Sequence, residues 1–204
     1  MREKKLKGKG KHSQTTWNLA DFQLLAQTMK SVKDKNLHNQ NGLLLANAHL
    51  KDEFLCVTLV NPVLLKALWQ KMRNKSFVKA GSDGVYRLTN QSFTFATFGF
   101  LLKSAGGGSD YHHSGKSKHV FPTTYREAFY AIMKSEHQIT YGRLFSDFDL
   151  VMEAVLNVPN FCATVGQFHA DFHGGLMIAA QNHYRLAGLV SYEAMFIMVQ
   201  TDRL

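Results

Sequence analysis

The residues best spaced for chemistry are His169, Asp171 and His173, in the run Phe168–His169–Ala170–Asp171–Phe172–His173. Alternate side chains of a β-strand share a face, so these three line up on one side at steps of about 6.5–7 Å, with Phe168, Ala170 and Phe172 on the other. Two imidazoles and one carboxylate form a frequent donor set for a divalent metal such as zinc, which would support a metal-dependent hydrolase or nuclease. A single flat strand cannot wrap all three around one ion. A metal site therefore requires a bend at Gly174–Gly175 or a donor from His112, His113 or His183. The plainer expectation is a polar strand face on which Asp171 orients one imidazole.

Other catalytic signatures are missing. Ser114–Gly115–Lys116–Ser117 has the Gly-Lys-Ser ending of a phosphate-binding loop, but Asp110 stands where the first glycine is required. The next residues, Lys–His–Val–Phe–Pro, do not open a helix, so the backbone cradle for a nucleotide is unsupported. The chain has no G-x-S-x-G, no H-E-x-x-H and no CxxC, which leaves serine-esterase, metalloprotease and zinc-ribbon chemistry without sequence support. Cys56 and Cys162 each lie among apolar neighbours, as buried thiols of a reducing compartment do. On balance the sequence leans away from an enzyme.

Charge gives the stronger signal. The 204 residues carry 24 Lys and Arg against 15 Asp and Glu, a net of +9. Residues 1–118 hold 19 basic and 7 acidic side chains (net +12), and residues 119–204 hold 5 and 8 (net −3). Arg2, Lys4, Lys5, Lys7, Lys9 and Lys11, with Gly8 and Gly10 among them, have no apolar face to fold on. The expectation is a disordered basic arm over 1–14 that binds phosphates with release of counterions. Lys66, Lys71, Arg73, Lys75 and Lys79 form a second basic group, with no acid in residues 54–82. Lys116 and Lys118 sit in the stretch 104–119, SAGGGSDYHHSGKSKH, which contains no aliphatic side chain larger than Ala105 and reads as a flexible loop. These lysines and arginines mark the expected nucleic-acid contacts, DNA or RNA.

No apolar run of signal-peptide type succeeds the basic start, and the apolar stretch Gly174–Val199 is broken by Gln181, Asn182, His183, Arg185 and Glu193. Neither secretion by that route nor a membrane span is expected, and the protein reads as cytoplasmic or otherwise intracellular.

The elements that must hold these groups can be read from periodicity and caps. Thr15 or Thr16 would cap a helix carrying Trp17, Leu19, Phe22, Leu24, Leu25 and Met29. A hairpin fits Gly42–Val60, and Asn61–Pro62 starts a helix. Gly81–Ser82–Asp83–Gly84 reads as a turn, followed by strands at Val85–Thr89 and Phe93–Leu102. In the second of these strands Phe95 and Phe98 fall on opposite faces. One aromatic row is therefore either covered in the interior or exposed as a stacking platform for single-stranded bases. Thr123 or Thr124 would cap a helix through YREAFYAIMKSE, and Ser146 would cap DFDLVMEAVLNV, with Asp147 and Asp149 favoured in its first turn by the helix dipole. Strand-like alternation returns over Phe161–Phe172, and a helix is expected over Leu176–Leu186.

The expected fold class is α+β: a single compact domain over 15–204 with short antiparallel strands and about four to five helices. The expected function is that of a nucleic-acid-binding accessory protein contacting mainly the phosphate backbone. The alternatives are the metal-dependent hydrolase or nuclease above and a structural subunit that self-assembles through its aromatic surfaces.

Overall fold

The computed structural model describes residues 18–73, 78–86, 93–103, 123–170 and 174–186. Helix α1 (Leu19–Thr28) begins at Asn18, not at Thr15 or Thr16. Asn18 Oδ1 accepts from the Ala20 and Asp21 amides at 2.8 and 3.2 Å, while Asp21 Oδ2 accepts from the Asn18 amide at 2.8 Å. This reciprocal box satisfies donors that the first turn would otherwise leave bare. The expected hairpin forms from β1 (Leu44–His49) and β2 (Cys56–Val60). Helix α2 (Pro62–Met72) starts where the sequence places it, with Asn61 Oδ1 accepting from the Leu64 amide at 3.1 Å and Pro62 in the first turn.

Two expectations fail in the next stretch. Gly81–Ser82–Asp83–Gly84 is no turn; it lies within β3 (Val78–Tyr86), which pairs along its length with β4 (Thr94–Lys103). The reason for Gly81 is proximity: a Cβ there would stand 2.9 Å from the His169 carbonyl on the neighbouring strand. Thr123–Met133 is no helix either but β5, bonded on both sides, to β4 and to β2. Its alternation is hidden by an irregularity at Ala128, where Phe98 faces Phe129 but Gly99 faces Glu127, so Ala128 and Phe129 are both buried.

Helix α3 (Gln138–Leu156) begins eight residues before Ser146. His137 caps it: Nδ1 accepts from the Ile139 amide at 3.2 Å, and Thr140 Oγ1 accepts from the His137 amide at 3.2 Å. Asp147 and Asp149 therefore lie in mid-helix and not in a first turn. Asn157 ends α3 in the left-handed region at φ 55. A short 3-10 turn (Phe161–Thr164) leads into β6 (Val165–Ala170), and α4 (Gly174–Leu186) comes after it. Gly175 lets the first turn of α4 approach the segment before α3, because a Cβ there would stand 2.7 Å from the Glu136 carbonyl.

The six strands form one sheet in the order β1-β2-β5-β4-β3-β6, antiparallel throughout except for the β3–β6 pair, which is parallel. One face carries α2, α3 and α4 over an aromatic core. Phe148 lies 4.3 Å from Phe98, 5.2 Å from Phe129 and 5.1 Å from Phe161 by ring centroids, and all four side chains are fully buried. On the other face α1 packs Phe22 against Leu55, Val57 and Leu59 at the β1–β2 end. The chain is thus a single compact α+β domain with four helices among the described residues. Within those residues no helix is long and apolar enough to cross a membrane.

The aromatic rows of β4 divide as parity requires. Phe98 and Phe100 serve the interior, and Phe95 is half-buried on the opposite face, stacked on Tyr130 at 5.8 Å. The arm over 1–14 and the loop over 104–119 lie outside the described residues.

Candidate functional site

Helix α3 presents two carboxylates to two different polar clusters. Residues two apart on a helix are separated by about 200° of rotation, so Asp147 and Asp149 look in nearly opposite directions. Asp147 faces β1 and β2, and Asp149 faces α4 and the 3-10 turn before β6.

The Asp147 cluster exists because β1 is irregular. Leu45 pairs with Leu59 but Asn47 with Thr58, so Ala46 is an extra residue. That insertion turns Asn47 and His49 away from the α1 side and toward α3. Asp147, only 2% exposed, then accepts from three side chains. Asn47 Nδ2 reaches Oδ1 at 2.9 Å, while His49 Nε2 at 2.9 Å and Thr58 Oγ1 at 2.7 Å reach Oδ2. Because a carboxylate only accepts, His49 must carry its proton on Nε2. The ring is a quarter exposed at its other edge. This is the geometry of an imidazole oriented by a carboxylate, but the neighbouring thiol is no nucleophile: burial, then the field of Asp147, pushes Cys56 far up. At the rim Arg143 bonds Asp52 through both terminal nitrogens and reaches the Phe54 carbonyl at 2.5 Å. The Arg143 hydrogen bond to Asp52 holds that carboxyl below the ordinary range against the next-largest influence, burial, and the Phe54 amide adds to the lowering.

The second cluster joins Asp149, Cys162 and His183, whose donor atoms all lie within 4.8 Å of one another. His183 Nε2 donates to Asp149 Oδ2 at 3.0 Å, and the two side chains are 17% and 23% exposed. The Cys162 thiol donates to Asn160 Oδ1 at 3.7 Å. Its surroundings are apolar: the His183 ring packs 5.7 Å from Phe145 and 5.2 Å from Tyr184. Burial first, and then the nearby Asp149, raises the Cys162 thiol above its ordinary value.

Of the residues singled out from the sequence as metal donors, His169 lies on β6, half-buried, opposite Gly81. Asp171 and His173 lie outside the described residues. His183, named only as an auxiliary donor, is instead joined to Asp149 and Cys162. Sequence reasoning missed that trio because its members are 13 and 21 residues apart and no motif spans them. Asn47 and His49 were missed as well: they are the polar residues of an otherwise apolar strand, but the shift at Ala46 that aims them at Asp147 has no local signal.

The basic group is only partly gathered. Lys71 and Arg73 are exposed at the end of α2. Lys66 is engaged: its ammonium donates to the His38 carbonyl at 3.0 Å and to Asn39 Oδ1 at 2.8 Å, tying α2 to the segment that also carries exposed Lys33 and Lys35. Lys79 is half-buried on β3. Arg2, Lys4, Lys5, Lys7, Lys9, Lys11, Lys75, Lys116 and Lys118 lie outside the described residues.

The chain matches no protein-family model, no curated protein and no solved structure.

Proposed function

We propose that the protein is an intracellular nucleic-acid-binding accessory protein that contacts mainly the phosphate backbone, through its basic arm and the exposed end of α2. The observation that carries this reading is the net charge of +12 on residues 1–118 against −3 on the remainder. Such asymmetry gives one part of the chain an affinity for polyanions that the other part opposes. Lys71 and Arg73 support it, being exposed on the last turn of a helix whose carbonyl end favours cations. Lys66 has a different role, holding α2 to the 38–39 segment.

The test is anisotropy of a labelled single strand and a labelled duplex titrated with the full chain over a series of salt concentrations. Each neutralised phosphate contributes about −0.7 to −0.9 to the slope of log K against log salt. Replacing Arg2, Lys4, Lys5, Lys7, Lys9 and Lys11 together by Gln should flatten the slope by about 4–5. Lys71→Ala and Arg73→Ala should each flatten it by a little under one, and Lys66→Ala should leave it unchanged. Absence of binding at low salt, or a slope near zero in the wild type, removes the proposal.

A further inference from the structure

We infer that Asp149, Cys162 and His183 form a binding site for a zinc-class divalent cation, built where α3, α4 and the Phe161–Thr164 turn meet. Three observations converge on it. The first is composition: a thiol, an imidazole and a carboxylate are the three side-chain types that tetrahedral zinc takes, and here each comes from a separate element. The second is spacing. Donors bonded at about 2.0–2.3 Å to a tetrahedral ion stand roughly 3.3–3.8 Å from one another. The three donor atoms already lie within 4.8 Å of one another, and the Asp149–His183 pair is at 3.0 Å, so small side-chain rotations suffice.

The third observation is charge. Thiolate and carboxylate bring two negative charges and the imidazole brings none, so a dication makes the cluster neutral in surroundings that disfavour net charge. Phe145 and Tyr184 pack on the His183 ring and Cys162 is only 9% exposed, so the sulfur is largely withdrawn from water while Asp149 and His183 are half-buried. Without a cation the same surroundings disfavour a thiolate beside Asp149, so the trio is poorly arranged as a cysteine nucleophile with its base. His183 Nε2 also faces the carboxylate and not the sulfur.

On binding, the cation takes the Cys162 sulfur, whose proton leaves to solvent, and the thiol bond to Asn160 Oδ1 is given up. It takes His183 Nε2 once the ring proton has moved to Nδ1, and one oxygen of Asp149. Three protein donors leave the fourth corner of the tetrahedron to a water molecule. The donors of the site include none of the residues named for phosphate contacts, and none of His169, Asp171 and His173.

The test uses the full chain, stripped with a chelator and titrated with cobalt(II) as a spectroscopic substitute for zinc. A bound thiolate gives a sulfur-to-cobalt charge-transfer band that imidazoles and carboxylates alone cannot produce. The expected result is a band saturating at one equivalent per chain and reversed by zinc. It should be absent in Cys162→Ser and retained in Cys56→Ser, whose thiol is fully buried elsewhere. His183→Ala and Asp149→Asn should each weaken cobalt binding by about a hundredfold or more, beyond the ten- to hundredfold cost of losing an outer partner alone. No band in the wild type at millimolar cobalt overturns the site without reliance on any variant. A band that survives Cys162→Ser, or one that His183→Ala and Asp149→Asn leave at wild-type affinity, overturns it as well.

Discussion

Removing the Asp147 carboxylate is expected to be among the most damaging single changes outside the aromatic core. The carboxylate accepts from Asn47, His49 and Thr58 at 2.9, 2.9 and 2.7 Å, and bonds to a charged group contribute about 1.5–3 kcal/mol each. The gross loss in Asp147→Ala is then about 4.5–9 kcal/mol. Taking the carboxylate out of water offsets several kcal/mol of this, and His49, a quarter exposed, can turn its N–H to solvent. The net cost should be about 3–5 kcal/mol, the range found when one partner of a buried charged network is deleted. That is a large part of the roughly 5–15 kcal/mol that stabilises an ordinary domain. With a urea slope of about 2 kcal/mol/M, the unfolding midpoint measured by circular dichroism should fall by roughly 1.5–2.5 M at an unchanged slope. Asp147→Asn keeps the shape and one acceptor oxygen but turns an N–H toward a donor, and should cost only about 1–3 kcal/mol. A stability for Asp147→Ala within about 0.5 kcal/mol of wild type would show that the three bonds are exchanged for water without loss, and the reasoning would be wrong.

Two glycines should respond with opposite signs in the same unfolding assay. Gly99→Ala would place a Cβ 2.1 Å from the Arg126 carbonyl across the β4–β5 irregularity, so it should cost at least about 1–3 kcal/mol. Gly142→Ala meets nothing within 4 Å on α3 and should stabilise by about 0.5–1 kcal/mol; equal effects at the two positions would contradict the packing described. The Asp52 carboxyl, held low chiefly by Arg143, should titrate by NMR below the ordinary value of about 3.9. A lowered folded value means that the pair stabilises the protein above the ordinary carboxylate range and ceases to do so as the pH falls through the depressed value. Arg143→Gln should return the midpoint toward normal, and an unmoved midpoint would rule out Arg143 as the cause.

The sequence disclosed what is local. Asn61–Pro62 announces α2 because the cap and the proline act on their own first turn, and the buried residues of α4, Leu176, Ala179, Ala180 and Tyr184, fall at helical spacing although polar residues interrupt the apolar run. The segment 123–133 misleads for a physical reason. The extra residue at Ala128 breaks the period of two, so Tyr125, Phe129 and Ile132 fall at helical spacing although they belong to a strand paired on both sides. The start of α3 is hidden because histidine is an uncommon cap, and Gly81 resembles a turn residue when its glycine is required by an approaching strand. Of the two side-chain clusters, neither could be read in advance. Asp147 meets residues about 90 to 100 positions away, and Asp149, Cys162 and His183 meet only after three elements have docked.

The parallel pairing of β3 with β6 also constrains the order in which the domain can be completed. Residues 78–82 must wait for residues 165–170, so this side of the sheet closes only after most of the chain has been synthesised. Until then β3 presents a bare row of amides and carbonyls, the surface through which sheets associate edge to edge. A product that stopped before Val165 would keep that row open permanently. Among the described residues, loss of β6 would therefore move the edge of the sheet from a strand of six residues to one of nine, a longer template for aggregation.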